Sequence, residues 1–167
     1  IIEEVSWVSQ FPEINKLKLP INKLVSEIAE VIFPRTIKIK NELVNRKKVS
    51  SSAARALKQL MYDLLSSQHL KSLGYSKYPA ERGIYASILA SNNLHGKGKD
   101  GQFQLINPST NNDDFSKNLT QLFDESFNFL RKYRERNVPF RELYEQIWTQ
   151  PPYGMKMGIT PLFAYLF

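Results

Sequence analysis

Basic side chains are concentrated in one stretch of the sequence, residues 34–73, which carries nine Lys or Arg and two Asp or Glu. The difference, nine minus two, equals the net charge of the whole chain, +7. Lysine and arginine neutralise phosphates, and serines between them can donate hydrogen bonds to phosphate oxygens. The sequence therefore predicts a phosphate-binding or DNA-binding surface, and its candidate residues are Arg46, Lys47, Lys48, Ser51, Arg55 and Lys58.

The spacing of these residues places several of them at the start of one helix. Arg55 and Lys58 are three positions apart and share a helix face. Ser50, Ser51 and Ser52 can cap the same helix, whose free amides and positive end attract phosphate. The alternative is a solvated basic surface offset by acidic residues of neighbouring helices, namely Glu27, Glu30, Asp124 and Glu125.

Other chemistries find little support in the residue types. Cysteine is absent, which excludes disulfides, thiolate nucleophiles and cysteine-ligated metals. The two histidines, His69 and His95, lack metal-binding spacing, so we predict no metal site and no cofactor in this chain. Residues 95–101, HGKGKDG, lack the Ser or Thr that follows lysine in a nucleotide-binding loop. Glu142 and Glu145 lie one helical step apart and are the one carboxylate pair that can converge.

Apolar residues recur at three- and four-residue steps in several stretches, the period of one helix face. We predict an all-α fold: an irregular bundle of about five to six helices in a single domain, residues 1–167, with one long loop around residues 95–112. A short strand at 103–105 is an alternative within that loop. The predicted inward positions include Leu57, Leu60, Met61, Leu64 and Leu65, then Phe115, Leu119, Leu122, Phe123, Phe127 and Leu130, and finally Phe140, Leu143, Tyr144, Ile147 and Trp148.

Candidate caps and prolines predict where the helices start and stop. Pro34 ends the first helix, and Asp113 or Asp114 caps the helix after the loop. No apolar run is long enough to span a bilayer, and the start IIEEVSWVSQ has no signal-peptide features, so we expect a cytoplasmic protein that does not contact membranes.

The stretch TQPPYGMKMGITP, residues 149–161, interrupts the helices near the C-terminus. Pro151 and Pro152 cannot continue a helix, Gly154 and Gly158 permit unusual backbone angles, and Thr160-Pro161 is typical of a new helix start. The helix that follows is strongly apolar. We therefore expect contacts with other domains of a longer protein, of which this chain is a piece, through Pro151, Pro152, Tyr153, Gly154, Leu162, Phe163, Leu166 and Phe167.

Four segments together resemble a helical region of large prokaryotic P-loop ATPases of the phage-defence type. They are NELVNRKKVSSSAARAL, the stretch from Pro79 to Tyr85, VPFRELYEQIW and PPYGMKMGITPLFAYLF. The resemblance covers roughly residues 35–167. It implies that the nucleotide-binding core lies outside this chain, and it assigns no catalytic residue here.

Three functional hypotheses follow. The first is a non-catalytic helical module of a larger cytoplasmic ATPase, which contacts other domains of the parent chain and also DNA. The second is a stand-alone basic nucleic-acid-binding domain. The third is a small enzyme whose site the sequence does not reveal.

Overall fold

The computed structural model describes residues 20–167, and within them the chain is mostly helical. Two of the helices, α3 (Ala80–Ile84) and α5 (Phe140–Leu143), continue as π-helices, at Tyr85–Ala90 and at Tyr144–Trp148. Short 3₁₀ turns lie at Lys71–Gly74 and Pro108–Thr110. The α-helices are α1 (Ile21–Ile32), α2 (Ser51–Ser67), α3 (Ala80–Ile84), α4 (Asp114–Lys132), α5 (Phe140–Leu143) and α6 (Thr160–Leu166).

The segment expected to be a long loop instead contains a small antiparallel hairpin, so the fold is not strictly all-α. Its strands are β1 (His95–Lys97) and β2 (Phe103–Leu105), with His95 paired to Leu105. Gly101, at φ +81°, lies in the turn, where a left-handed backbone suits glycine. The alternative of a strand at 103–105 is confirmed. Its partner β1 was not predicted, because a strand of three residues is too short to show the alternation of apolar and polar side chains.

Local cap chemistry explains where α2 and α4 begin. The Ser50 hydroxyl accepts from the Ala53 amide at 3.2 Å, and an Asp113 carboxylate oxygen accepts from the Ser116 amide at 3.0 Å. These contacts satisfy amides that have no partner inside the helix. The same hydrogen bond lowers the pKa of Asp113.

The start of α6 differs from the predicted capping scheme. Thr160 is the first helical residue rather than the cap, and its buried side chain donates to the Lys156 carbonyl at 3.1 Å. Pro161, expected to be the first residue of this helix, is therefore its second and still lies in the first turn.

Three side chains predicted to face inward are exposed instead. Leu65 on α2 is 65% exposed, Phe127 on α4 is 50% exposed and Phe140 on α5 is 39% exposed. The buried face of α2 is formed by Ala53, Ala56, Leu57, Leu60 and Leu64, which leaves Leu65 on the far edge. The helical period of the sequence therefore located α2, α4 and α5. On each of these helices it assigned one more side chain to the buried face than the structure buries there.

The core centres on Trp148, which is fully buried. Its Nε1 donates to the Ser126 hydroxyl at 2.9 Å, and that hydroxyl donates to the Leu122 carbonyl at 2.6 Å. The indole thereby joins the π-helical turn after α5 to the middle of α4, with both buried polar groups satisfied.

Residues 150–158, here called the proline–glycine segment, lie alongside residues 33–46. The Arg35 amide donates to the Pro152 carbonyl at 3.0 Å, and the Gly158 amide donates to the Arg46 carbonyl at 2.9 Å. The Pro151-Pro152 bond is cis, and Gly154, at φ +61°, leaves room for the ring of Phe33. The absence of a side chain at Gly154 therefore lets this segment fit closely against a distant part of the chain.

Within residues 20–167, no helix combines the length and the apolar character that crossing a membrane requires.

Candidate nucleic-acid interface

The outward face of α2 carries both basic and apolar side chains. Exposed residues follow one another at steps of four, three, four and three positions, so they lie within about 80° around a helix of 3.6 residues per turn. The N-terminal half of this stripe is basic and its C-terminal half is apolar. Its members are Ser51, Arg55, Lys58, Tyr62 and Leu65.

Three further cations precede α2 in an exposed turn, Arg46, Lys47 and Lys48. The Arg46 side chain donates through Nε to the Glu42 carbonyl at 2.7 Å, while its own carbonyl accepts from Gly158. The turn is therefore anchored to the proline–glycine segment. We call Arg46, Lys47, Lys48, Ser51, Arg55 and Lys58 the basic face; all six residues predicted from the sequence are exposed.

No ion pair joins the basic face to an Asp or Glu within the part of the chain that the structure describes. The four carboxylates proposed to offset it do not pair with it: Glu30 lies 3.5 Å from Lys38, Glu125 lies 3.3 Å from Arg35, and Glu27 and Asp124 form no ion pair among residues 20–167. The cations of the basic face are therefore free of direct ion pairs among the described residues.

In a second basic cluster, on residues 131–141, two of the five cations are paired, while Arg131, Lys132 and Arg134 form no ion pair among residues 20–167. Arg136 forms a two-pronged ion pair with Glu142, at 2.6 and 3.0 Å, and Arg141 pairs with Glu145 at 2.7 Å. The Arg136 guanidinium lowers the pKa of Glu142. Both carboxylates of the one candidate acid–base pair are thus engaged by arginines, which is the ordinary arrangement of a helix surface.

A cleft of about 350 Å³ opens beside the proline–glycine segment. Its rim carries Lys38, Lys40 and Lys156, and its floor is apolar, formed mainly by Ile37, Ile39, Met155, Ile159 and Phe163. The sequence analysis missed this site, because Lys156 meets residues more than a hundred positions earlier; its Nζ lies 3.3 Å from the Asn45 carbonyl.

His95 is a buried structural residue. Its Nε2 lies 2.7 Å from the Gln68 carbonyl and its Nδ1 lies 2.9 Å from the Tyr85 hydroxyl. The carbonyl can only accept, so Nε2 carries the proton and Nδ1 accepts from Tyr85. Both ring nitrogens are occupied, and the HGKGKDG segment forms a strand and a turn instead of leading into a helix as a phosphate-binding loop does.

The residues expected to contact other domains lie in two environments. Tyr153, Leu162 and Phe163 are buried in this chain's own core, so the expectation that they need an outside surface was wrong. Leu166 and Phe167 are half-buried, and the Phe167 ring packs on Phe123 and Phe127 with centroids 5.4 and 4.7 Å away. Of the rest, Pro151 is exposed, while Pro152 and Gly154 are half-buried.

Tyr153 presents a buried hydroxyl without a hydrogen-bond partner among the described residues. Burial raises its pKa, the nearby Glu125 carboxylate raises it further, and Arg35 partly opposes this. Neither side chain reaches the hydroxyl with the geometry of a hydrogen bond, so the hydroxyl is unpaired among the described residues. A buried unpaired hydroxyl is unfavourable.

We therefore expect Tyr153→Phe to leave the free energy of unfolding unchanged or to raise it by up to about 1 kcal/mol. The matched control is Tyr85→Phe, which removes the donor to His95 and should lower that free energy by about 1 kcal/mol. Urea unfolding measures both, and a larger loss in Tyr153→Phe than in Tyr85→Phe would contradict the assignment.

Among residues 20–167, no group of three or more His, Cys, Asp or Glu side chains lies close enough together to hold a metal ion. Comparison with protein-family models, with curated proteins and with solved structures gave no match.

Proposed function

We propose that this chain is a non-catalytic helical module of a larger cytoplasmic ATPase and that it contacts DNA through the basic face. The ATPase context comes from the resemblance of four sequence segments. The DNA contact is supported by one observation above the others: six exposed residues, five of them cationic, lie together without acidic partners in the described chain.

The shape of the surface suits a duplex. An exposed α-helix fits the major groove, where cations on its outward face and in the turn before it can contact the phosphates on either side of the groove. Arg55 and Lys58 project from α2, and Lys47 and Lys48 lie in the turn before it. Since phosphate contacts supply most non-specific affinity, the proposal requires binding that weakens steeply with salt.

The experiment measures the affinity of the chain for a 20-base-pair DNA duplex by fluorescence anisotropy. Replacing Arg55 and Lys58 together by glutamine should weaken binding about a hundredfold in about 50 mM salt, because each phosphate contact contributes roughly tenfold there. Neither side chain is buried, so the fold should persist, as circular dichroism can verify.

The matched control is the pair Arg131→Gln and Lys132→Gln, which removes the same charge from an exposed site at the end of α4. It should change the affinity less than threefold. Equal losses in the two variants, or no binding by the unmodified chain, would contradict the proposal.

A further inference from the structure

The cleft beside the proline–glycine segment arises because two parts of the chain pair at both ends and separate between them. At one end, the Thr36 hydroxyl donates to the Tyr153 carbonyl at 2.9 Å, next to the contact between Arg35 and Pro152. At the other end, Gly158 donates to Arg46. Arg46 lies ten positions after Thr36, whereas Gly158 lies only five after Tyr153, and residues of both segments line the opening between these contacts.

One wall of the opening has the pattern of a strand. Residues 36–40, TIKIK, are neither helix nor turn, and their burial alternates: Ile37 is buried and Ile39 half-buried, while Lys38 and Lys40 are exposed. All five residues line the cleft. Side chains that alternate between two faces are the signature of extended backbone.

The backbone of this wall has unused hydrogen-bonding capacity. Among residues 20–167, the amides of residues 37–40 donate no hydrogen bond, and of their carbonyls only that of Ile39 accepts one, from the Asn45 side chain at 3.0 Å. Such a row of alternating donors and acceptors is a template for strand addition.

We propose that this cleft binds an extended acidic peptide of a partner protein, which adds as a strand alongside residues 37–40. The backbone offers both donors and acceptors, which a peptide complements, whereas the phosphates of a nucleic acid only accept. The rim supplies the charge selection through Lys38, Lys40 and Lys156, although Glu30 competes for Lys38 at 3.5 Å. Among residues 20–167, no Asp or Glu lines the cleft.

The apolar floor completes the specificity. Alternate residues of a bound strand point to opposite sides, so apolar side chains can face Ile37, Ile39 and Met155 while acidic ones face the lysines. Four residues of strand span about 13 Å. The ligand class is therefore a short segment in which acidic and apolar residues alternate.

The test uses a fluorescent hexapeptide of alternating glutamate and valine. We expect it to bind the intact chain, to slow hydrogen exchange at the amides of residues 37–40, and to lose at least tenfold in affinity in the variant Lys40→Glu with Lys156→Glu. The variant Arg131→Glu with Lys132→Glu makes the same charge change elsewhere and should bind normally.

Two further probes separate strand pairing from charge attraction. A peptide of the same sequence, N-methylated at every second residue, should bind at least tenfold more weakly, because it lacks the amides that pair with the carbonyls of the wall. Equal affinity of the two peptides would overturn the proposal, as would a failure of the hexapeptide to bind. A single-stranded thymidine decamer whose affinity falls in the Lys40/Lys156 variant but not in Arg55→Gln with Lys58→Gln would assign the cleft to nucleic acid instead and equally overturn it.

Discussion

Replacement of Trp148 by alanine is expected to lower the free energy of unfolding by about 3–5 kcal/mol. The side chain is fully buried, packs edge-on against Phe140 with ring centroids 5.1 Å apart, and donates to Ser126. Its removal leaves a large cavity between α4 and the π-helical turn that follows α5. It also deprives the buried Ser126 hydroxyl of its hydrogen-bond donor. Because domains of this size are stable by about 5–15 kcal/mol, the loss takes a large share of the total.

Urea unfolding followed by circular dichroism measures this change. Trp148→Phe retains most of the volume but loses the indole donor, so a smaller loss of about 1–2 kcal/mol is expected. Phe140→Ala, at a partly exposed ring on the same contact, should cost less than Trp148→Ala. A loss below about 1 kcal/mol in Trp148→Ala would show that this residue does not hold the two helices together.

Replacement of Gly158 by alanine should destabilise the fold by about 2–4 kcal/mol, through overpacking and a weakened hydrogen bond. A Cβ at this position would lie 2.4 Å from the Val44 carbonyl oxygen and 2.7 Å from that of Arg46. Both are backbone atoms, so the turn that carries Lys47 and Lys48 would have to move. The affinity for DNA should therefore fall as well, because Lys47 and Lys48 move with the turn.

The control is Gly83→Ala on α3, where a Cβ meets nothing within 4 Å. Because alanine is the better helix former, that change should raise the free energy of unfolding by about 0.5–1 kcal/mol. Opposite signs for the two glycine replacements are the expected result of urea titrations. If Gly158→Ala is as stable as the unmodified chain, the proline–glycine segment does not approach the backbone of Val44 and Arg46 as closely as the structure shows.

Features set by nearby residues were predictable from the sequence. The Ser50 and Asp113 caps and the end of α1 before Pro34 each depend on residues within a few positions. The exposure of the basic face also followed, since Arg55 and Lys58 lie opposite the apolar residues of α2. These predictions needed only the helical period and the chemistry of a helix end.

Features set by distant residues were not predictable. Thr36 and Tyr153 are 117 positions apart, and Asn45 and Lys156 are 111 apart, so no local pattern indicated that they form one cleft. The burial of Leu162 and Phe163 in this chain's own core was not predicted for the same reason. The sequence of an apolar helix does not indicate which surface covers its apolar side chains. The domain contacts and the ATPase context stay predictions.

The salt dependence of DNA binding tests the central claim most directly. With five cations of the basic face on phosphates, log affinity should fall with log salt concentration with a slope of about −4.5, and with about −2.7 after Arg55 and Lys58 are both replaced by glutamine. A slope near zero in the unmodified chain, or the same slope in both proteins, would contradict the assignment of the basic face to DNA.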